Sequence, residues 1–330
     1  MRGPAYHSVV KPFVDRLQVE NFFCVKKVDV ALTRLHAFIG PNDSGKSTLL
    51  RSLVFMGSRT AGSAYPQAPT WASLPDAMVT AHMGDERWLQ VSDQVGNRSS
   101  AGGHLGLAQL VRLEPDALRQ PCRLIPHNQR ISFENERGVG LAGVLDAMLS
   151  RHPEQFLALR ARFTELFTGI ERVEIQNTSD HKKVIGVTLD GGRQVGPEGM
   201  SEGMLYWLAF KALQYATKPG ILLIEEPENG LHPARIREVA ALLRELSAET
   251  QVLVATHSPL VINELQPEEV TIITRTAEDG TIATPMTMTK NFEQRRQIYA
   301  LGELWLSYAD GVLESELVGG DDAKDTKAAG

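Results

Sequence analysis

Gly40-Pro41-Asn42-Asp43-Ser44-Gly45-Lys46-Ser47 is the strongest chemical signal in the chain. A glycine, four residues, a second glycine, a lysine and a hydroxyl residue make a loop whose backbone N–H groups can turn inward around a phosphate. The loop follows the apolar run Leu35–Ile39 and precedes Leu49, Leu50, Leu53 and Val54 at helical spacing, the strand–loop–helix setting that phosphate binding requires. In that setting Lys46 bridges the β- and γ-phosphates of ATP and the Ser47 hydroxyl ligates Mg2+. The helix N-terminus adds its partial positive charge. Gly40, Asn42, Ser44, Gly45 and Thr48 complete the nucleotide-binding segment.

A second signal is Ile221-Leu222-Leu223-Ile224-Glu225-Glu226-Pro227, an apolar strand that ends in two acids. Beside a phosphate loop, Glu225 offers a carboxylate to the magnesium and Glu226 a general base for the attacking water. Alone, such a pair is an ordinary charged first turn of a helix. The phosphate loop turns the reading toward ATP hydrolysis.

The elements that must position these residues follow from apolar spacing. Strands are expected at 17–23, 27–32 and 35–39, a helix at 47–55, and a small-residue loop at 57–75. Short β-like segments fill 88–133, including a turn at Gly102-Gly103. Two helices fill 141–167, broken at Pro153, and a β region at 172–194 turns at Asp190-Gly191-Gly192. A helix at 202–216, a strand at 221–224, a helix at 233–247 and a strand at 251–255 complete an alternating pattern. Continuously apolar strands alternating with helices predict an α/β core whose sheet is covered on both faces, with the middle of the chain as an insertion.

Composition narrows the class. The 330 residues are 42% hydrophobic and 22% charged, a globular balance that excludes wholesale disorder, a fibrous repeat and a disulfide-stapled miniprotein. No apolar run reaches the roughly 18 residues of a membrane span, and Pro4, His7, Lys11 and Pro12 interrupt the opening segment, so a cytoplasmic protein without a membrane partner is expected. Cys24 and Cys122 read as reduced thiols. A net charge of −6 leaves nucleic-acid contact to a local patch.

Four motifs occur in one order: Gly40 through Ser47 with Thr48, Met200-Ser201-Glu202-Gly203-Met204, Glu225-Glu226-Pro227-Glu228-Asn229-Gly230-Leu231-His232-Pro233, and Ala255-Thr256-His257-Ser258-Pro259. In this the chain resembles the ABC-type ATPases, more narrowly the AAA-family RecF-, OLD- and SMC-like branch with its many stand-alone ATPases. The resemblance implies an α/β P-loop NTPase fold, an ABC-ATPase-like head with a mixed β-sheet covered by helices and an inserted α+β lobe. One head is expected over 1–318, with an N-terminal β lobe and phosphate loop at 17–56, an inserted lobe at about 85–195, a signature and switch region at 196–275 and a C-terminal segment at 276–318. The polar stretch 319–330 is expected to be a disordered tail.

The resemblance further implies that Ser201 and Gly203 meet the γ-phosphate bound by the opposite subunit, so that a homodimer sandwiches ATP. His257 is then the switch histidine, and Asn229–His232 the loop that communicates across the dimer. The chain departs from the pattern at Glu225, where an Asp is usual, and the magnesium-side glutamine stays open among Gln90, Gln94, Gln109, Gln120 and Gln129.

The stretch between Ser47 and Ser201 has room for a compact lobe but not for an SMC arm, and no Cys-x-x-Cys offers a zinc hook. The residues after His257 leave little space for a nuclease domain of about 100 residues, so a separate effector protein is expected, in a bacterial defence or DNA-maintenance system. Leu301, Leu304, Trp305 and Tyr308 form one helix face that either docks on its own domain or receives that partner. A RecF-like repair ATPase that binds DNA directly is the competing reading, with Arg160, Arg162, His181, Lys182 and Lys183 as its basic patch. A transporter subunit and a non-hydrolysing scaffold are further alternatives.

Overall fold

The computed structural model describes residues 13–57, 76–92, 98–101, 108–179 and 181–309. The chain enters through the hairpin β1 (Arg16–Phe22) and β2 (Val25–Ala31), then β3 (Leu35–Ile39), the phosphate loop and α1 (Lys46–Gly57). Next come β4 (Met78–Met83), β5 (Glu86–Ser92), β6 (Arg98–Ala101) and β7 (Ala108–Val111). The middle holds α2 (Pro115–Leu118), β8 (Cys122–Arg123), α3 (Leu141–Arg151), α4 (Pro153–Leu166), β9 (Ile170–Ser179), β10 (Lys182–Leu189) and β11 (Gln194–Val195). It is followed by α5 (Glu202–Leu213), β12 (Ile221–Glu225), α6 (Pro233–Ser247), β13 (Gln251–Thr256) and α7 (Pro259–Ile262). The hairpin β14 (Val270–Thr276) and β15 (Gly280–Pro285), then α8 (Phe292–Arg296) and α9 (Leu301–Ala309), close the described chain.

Among the described residues the strands form three sheets. The core sheet has the order β15-β14-β3-β13-β12-β7, parallel throughout except for β15, which returns antiparallel on β14. An antiparallel sheet runs β2-β1-β4-β5-β6, and a third joins β11, β10 and β8 with β9 paired to β10. The expected mixed sheet with helical cover is therefore present.

Successive side chains of a strand point to opposite faces, and in the core sheet the two faces feed different cores. Leu35, Ala37 and Ile39 join one apolar cluster while Phe38 joins the other, and Leu222 and Ile224 part from Leu223 in the same way. One cluster lies between the core sheet, α1 and the antiparallel sheet; the other holds α3, α5 and α6. Both faces are dry, which is why these strands read as unbroken apolar runs. Leu49, Leu50 and Leu53 of α1 are fully buried, at about 1.5–3 kcal/mol each, and hold the phosphate loop's helix under the sheet.

Helix boundaries follow local chemistry. Pro153 opens α4 directly after the His152 cap that ends α3, the break expected from proline. Pro233 occupies the first turn of α6, and the His232 ring nitrogen Nδ1 accepts from Ala234 N at 3.2 Å. The turn at Asp190-Gly191-Gly192 joins β10 to β11, with Gly191 and Gly192 at φ of 88° and 82°. The helix expected over 202–216 ends at Leu213.

The segment expected as one inserted lobe at 85–195 is divided. β5 and β6 extend the antiparallel sheet because β4 pairs with β1, and β7 lies parallel beside β12 in the core sheet. Only α2 through β11 lie outside those two sheets, as an α+β unit whose Phe156, Leu159, Phe163, Val173, Ile185 and Val187 share one apolar cluster with α5, α6 and the core sheet. Helix α9 settles its apolar face on its own domain: Leu304 and Trp305 are buried, and Gly302 N donates to Asn263 Oδ1 at 2.7 Å. A Cβ on Gly302 would lie 2.3 Å from the Pro259 carbonyl oxygen, so only glycine allows this close approach. Residues 58–75, Gly102-Gly103 and the 319–330 tail lie outside the described residues. No helix among the described residues is long and apolar enough to cross a membrane.

Candidate nucleotide site

Strand β3 delivers the phosphate loop at its C-terminal end, where the β14–β15 hairpin braces it. A Cβ at Gly40 would sit 2.0 Å from the Ile273 carbonyl oxygen, and one at Gly45 2.5 Å from Thr281 Oγ1. Gly45 has φ +110°, a conformation that disfavours any side chain. Thr281 Oγ1 donates to the Ser44 carbonyl at 3.0 Å, tying hairpin to loop. Lys46 Nζ donates to the carbonyls of Gly40 at 2.9 Å and Pro41 at 2.7 Å. Burial pushes the Lys46 amine below its ordinary pKa, against the pull of Glu226, Glu228, Asp43 and Glu225. Ser44 Oγ is buried without a hydrogen-bond partner.

The acids arrive on β12. Glu225, the last residue of the strand, has a side chain only 3% exposed and lies between two guanidinium groups. Arg51 Nε of α1 is 3.8 Å from Oε1, and Arg112 Nη1, just past β7, is 3.6 Å from Oε2. Glu225 Oε1 makes no hydrogen bond. Glu226 adopts φ 48°, a left-handed conformation that costs a residue with a Cβ about 1–2 kcal/mol. Its N–H donates to the Ala255 carbonyl at 2.8 Å, and Asn229 Nδ2 donates to its Oε2 at 2.6 Å. Backbone strain of this kind, over-determined by neighbours, gathers at functional sites.

Asn42, Gly45, Lys46, Ser47, Thr48, Glu225 and Glu226 thus line one cleft of about 460 Å³, joined by Cys24, Arg112 and Arg275, to which sequence reasoning gave no role. Gly40 and Ser44 stand behind that lining. Strand pairing brings in the arginines, and nothing in their local sequence marks them. Among the described residues no group of three or more His, Cys, Asp or Glu converges on a metal position. Ser47 and Glu225 are the candidate donors in the cleft, and a magnesium ion that keeps waters and phosphate oxygens needs few protein ligands.

Ser201, Gly203 and His257 do not line this cleft. Ser201 caps α5, its Oγ accepting from Met204 N at 3.4 Å, and a Cβ at Gly203 would come within 3.2 Å of the Gly230 carbonyl oxygen. The Ser201 loop and the Asn229–Leu231 turn are therefore packed together. His257 is half-exposed, with Nδ1 3.6 Å from Glu228 Oε1. Glu228, quoted above only as part of a motif, is buried and links the β12 turn to the end of β13: Oε1 accepts from Thr256 Oγ1 at 2.6 Å and from His257 N at 3.3 Å. Trp305 Nε1 donates to the His257 carbonyl at 3.2 Å, bringing α9 to the same point.

Gln109, Gln120 and Gln129 are absent from the cleft lining. Gln94 lies outside the described residues, as does the side chain of Gln90. In the basic patch, Arg162 is engaged by Glu165 and Glu238, and Lys183 by Asp146. Those pairs neutralise two of the five residues that direct DNA binding would use.

A phosphate loop at the end of a sheet strand, with an acid-bearing strand in the same parallel sheet, defines a P-loop NTPase. A model for "AAA domain, putative AbiEii toxin, Type IV TA system" matches residues 114–263, and one for "AAA ATPase domain" matches residues 13–82. The chain is 50% identical to an OLD nuclease of Thermus scotoductus over 38 residues, 12% of this chain and 7% of that protein's length. It is 23% identical over 250 residues to a "Probable amino-acid ABC transporter ATP-binding protein" of Sinorhizobium fredii, covering 74% of this chain and 78% of that protein. Among solved structures, an Smc head bound to the C-winged helix domain of ScpA superposes with TM-score 0.59 at 14% identity, over 83% of this chain and 97% of that one. An Smc head with a coiled coil and joint from Pyrococcus yayanosii gives 0.53 at 12% identity, over 89% and 99%. The chain thus has a P-loop site and the fold of SMC heads, and AAA models match two parts of its length.

Proposed function

We propose that the chain binds ATP with Mg2+ and hydrolyses it, with Glu226 as the base. The observation that carries this is the convergence of Lys46, Ser47 and Glu226 on one cleft, with Glu226 held in a strained conformation by Ala255 and Asn229. Lys46 and the loop amides hold the phosphates. Ser47 and Glu225 hold the magnesium, which supplies charge neutralisation of the phosphate oxygens. Glu226 takes the proton of the attacking water. A neighbouring hollow of about 370 Å³ shares Cys24 and Arg275 with the cleft and adds the exposed Phe23 ring, which suits the nucleoside.

Ser201 and Gly203 stand away from the cleft of their own chain, which supports their acting on the nucleotide of a second copy in an ATP-bridged homodimer. His257, coupled to Glu228, Thr256 and Trp305, then reports the γ-phosphate to α9. We assign the head to switching a separate effector protein in a bacterial defence or DNA-maintenance system. The toxin–antitoxin wording of the matched family, the OLD nuclease likeness and the Smc head bound to ScpA support that placement. The exposed Leu260, Ile298, Tyr299 and Leu306 on and near α7, α8 and α9 offer such a partner apolar surface.

Lys46→Ala and Glu226→Gln separate binding from chemistry. Lys46→Ala should abolish binding of a fluorescent ATP analogue. Glu226→Gln should bind it as the wild type does and lose about 10²- to 10⁴-fold in phosphate release, the range of a general base. Wild-type turnover in Glu226→Gln would remove Glu226 from the base role.

A further inference from the structure

The carboxylate at the floor of the cleft has two cationic neighbours, and they differ in what else they can reach. Arg51 projects from α1 and does not line the cleft. Arg112 does line it. Its backbone is fixed on both sides. Val111 is in register with Ile224 in the β7–β12 pairing, and Arg112 N donates to the Glu136 carbonyl at 2.8 Å. The residue after β7 is therefore held beside the residue after Ile224, which is Glu225. The side chain is half-exposed, and at 3.6 Å its contact with Glu225 is an ion pair without hydrogen-bond geometry. Among the described residues the Arg112 guanidinium makes no hydrogen bond, so all five of its N–H donors remain for another acceptor.

The cleft also contains Lys46, but that ammonium already donates to two loop carbonyls and is partly desolvated. A triphosphate needs more positive charge than one lysine, and a planar guanidinium matches a phosphate bidentately where an ammonium cannot. No glutamine among the described residues occupies the end of β7 or the cleft wall. The group standing beside the β12 acids is an arginine.

Building on the ATP reading above, we propose that Arg112 binds the terminal phosphate of the nucleotide and makes the site prefer ATP to ADP, leaving its ion pair with Glu225 to do so. Arg51 stays with Glu225 when Arg112 moves, so the buried carboxylate is never left without a cation. The exchange also uncovers Glu225 Oε2, so triphosphate binding and exposure of a magnesium-side carboxylate are coupled through one side chain.

The test measures equilibrium binding of fluorescent ATP and ADP analogues with Mg2+, in a Glu226→Gln background so that ATP persists. Arg112→Ala and Arg112→Gln should weaken ATP binding about 10- to 100-fold, the range of a lost charge-assisted hydrogen-bond pair, while ADP binding changes less than about 3-fold. Arg112→Lys should recover part of the ATP preference. Arg51→Lys, which keeps a cation beside Glu225 when Arg112 moves, should leave the ATP-to-ADP ratio within about 3-fold of the parent. Equal loss of ATP and ADP binding in Arg112→Ala, or an unchanged ratio, would overturn the proposal. So would a ratio that falls as far in Arg51→Lys, because the effect would then pass through Glu225 alone. If Arg112→Ala does not fold by circular dichroism, the Gln and Lys variants carry the comparison. A parent that binds neither nucleotide would refute the ATP reading itself, a result distinct from any change in ratio.

Discussion

His36 lies on β3, the strand that feeds the phosphate loop, and is 2% exposed. Its Nε2 pairs with Thr271 Oγ1 of β14 at 2.9 Å and its Nδ1 with Thr33 Oγ1 at 3.2 Å. Both partners are hydroxyls that adapt to a neutral ring, and no carboxylate stabilises the imidazolium, so burial pushes its pKa down to about 3. The unfolded chain takes up the proton near pH 6.5. Because the folded value is the lower one, the stabilisation is complete above about pH 6.5 and is lost as pH falls toward the folded value. Within that window each pH unit removes about 1.4 kcal/mol, which amounts to about 2 kcal/mol between pH 7.5 and pH 5. His36→Gln keeps hydrogen-bonding capacity toward both threonines but cannot titrate. Urea unfolding of both proteins at pH 7.5, 6 and 5 isolates this residue, because every other titrating group is common to the two. The wild type should lose about 2 kcal/mol more than His36→Gln over that range. Parallel pH profiles would refute the argument, showing that His36 is protonated in the folded sheet or reached by water.

Two further outcomes test the loop and the composite site. Gly45→Ala forces a Cβ to within 2.5 Å of Thr281 Oγ1 at φ +110°. It should lower stability by about 2–4 kcal/mol and weaken ATP binding; an unaltered urea midpoint would mean the hairpin does not brace the loop. Lys46→Ala and Ser201→Arg proteins, each inactive alone, should regain about a quarter of wild-type turnover when mixed in equal amounts, since half the dimers carry one intact site. Absence of recovery, with light scattering showing that the variants pair, would place Ser201 and Lys46 in the same subunit's site.

The phosphate loop, the two acids and the helix starts at Pro153 and Pro233 were legible in the sequence because their chemistry is local. A glycine that admits φ +110°, a proline that needs no N–H donor, and a strand apolar on both faces each state their conformation within a few residues. Order along the chain made the four motifs recognisable as one family pattern. Everything that surrounds the motifs came from pairing between distant segments. β4 pairing with β1 drew β5 and β6 out of the expected lobe, and β7 settling beside β12 carried Arg112 to Glu225. β14 beside β3 brought Thr281 against Gly45, and α9 against α7 set Trp305 on the His257 carbonyl. Residue types and spacing therefore determined which groups could meet a nucleotide, since reactivity belongs to the side chain and its near neighbours. Which cations face the acids and which hairpin braces the loop were decided by the sheet, and which helix reaches His257 by the docking of α9 on α7, because strand register and helix packing fix neighbours across a distance that no local pattern encodes.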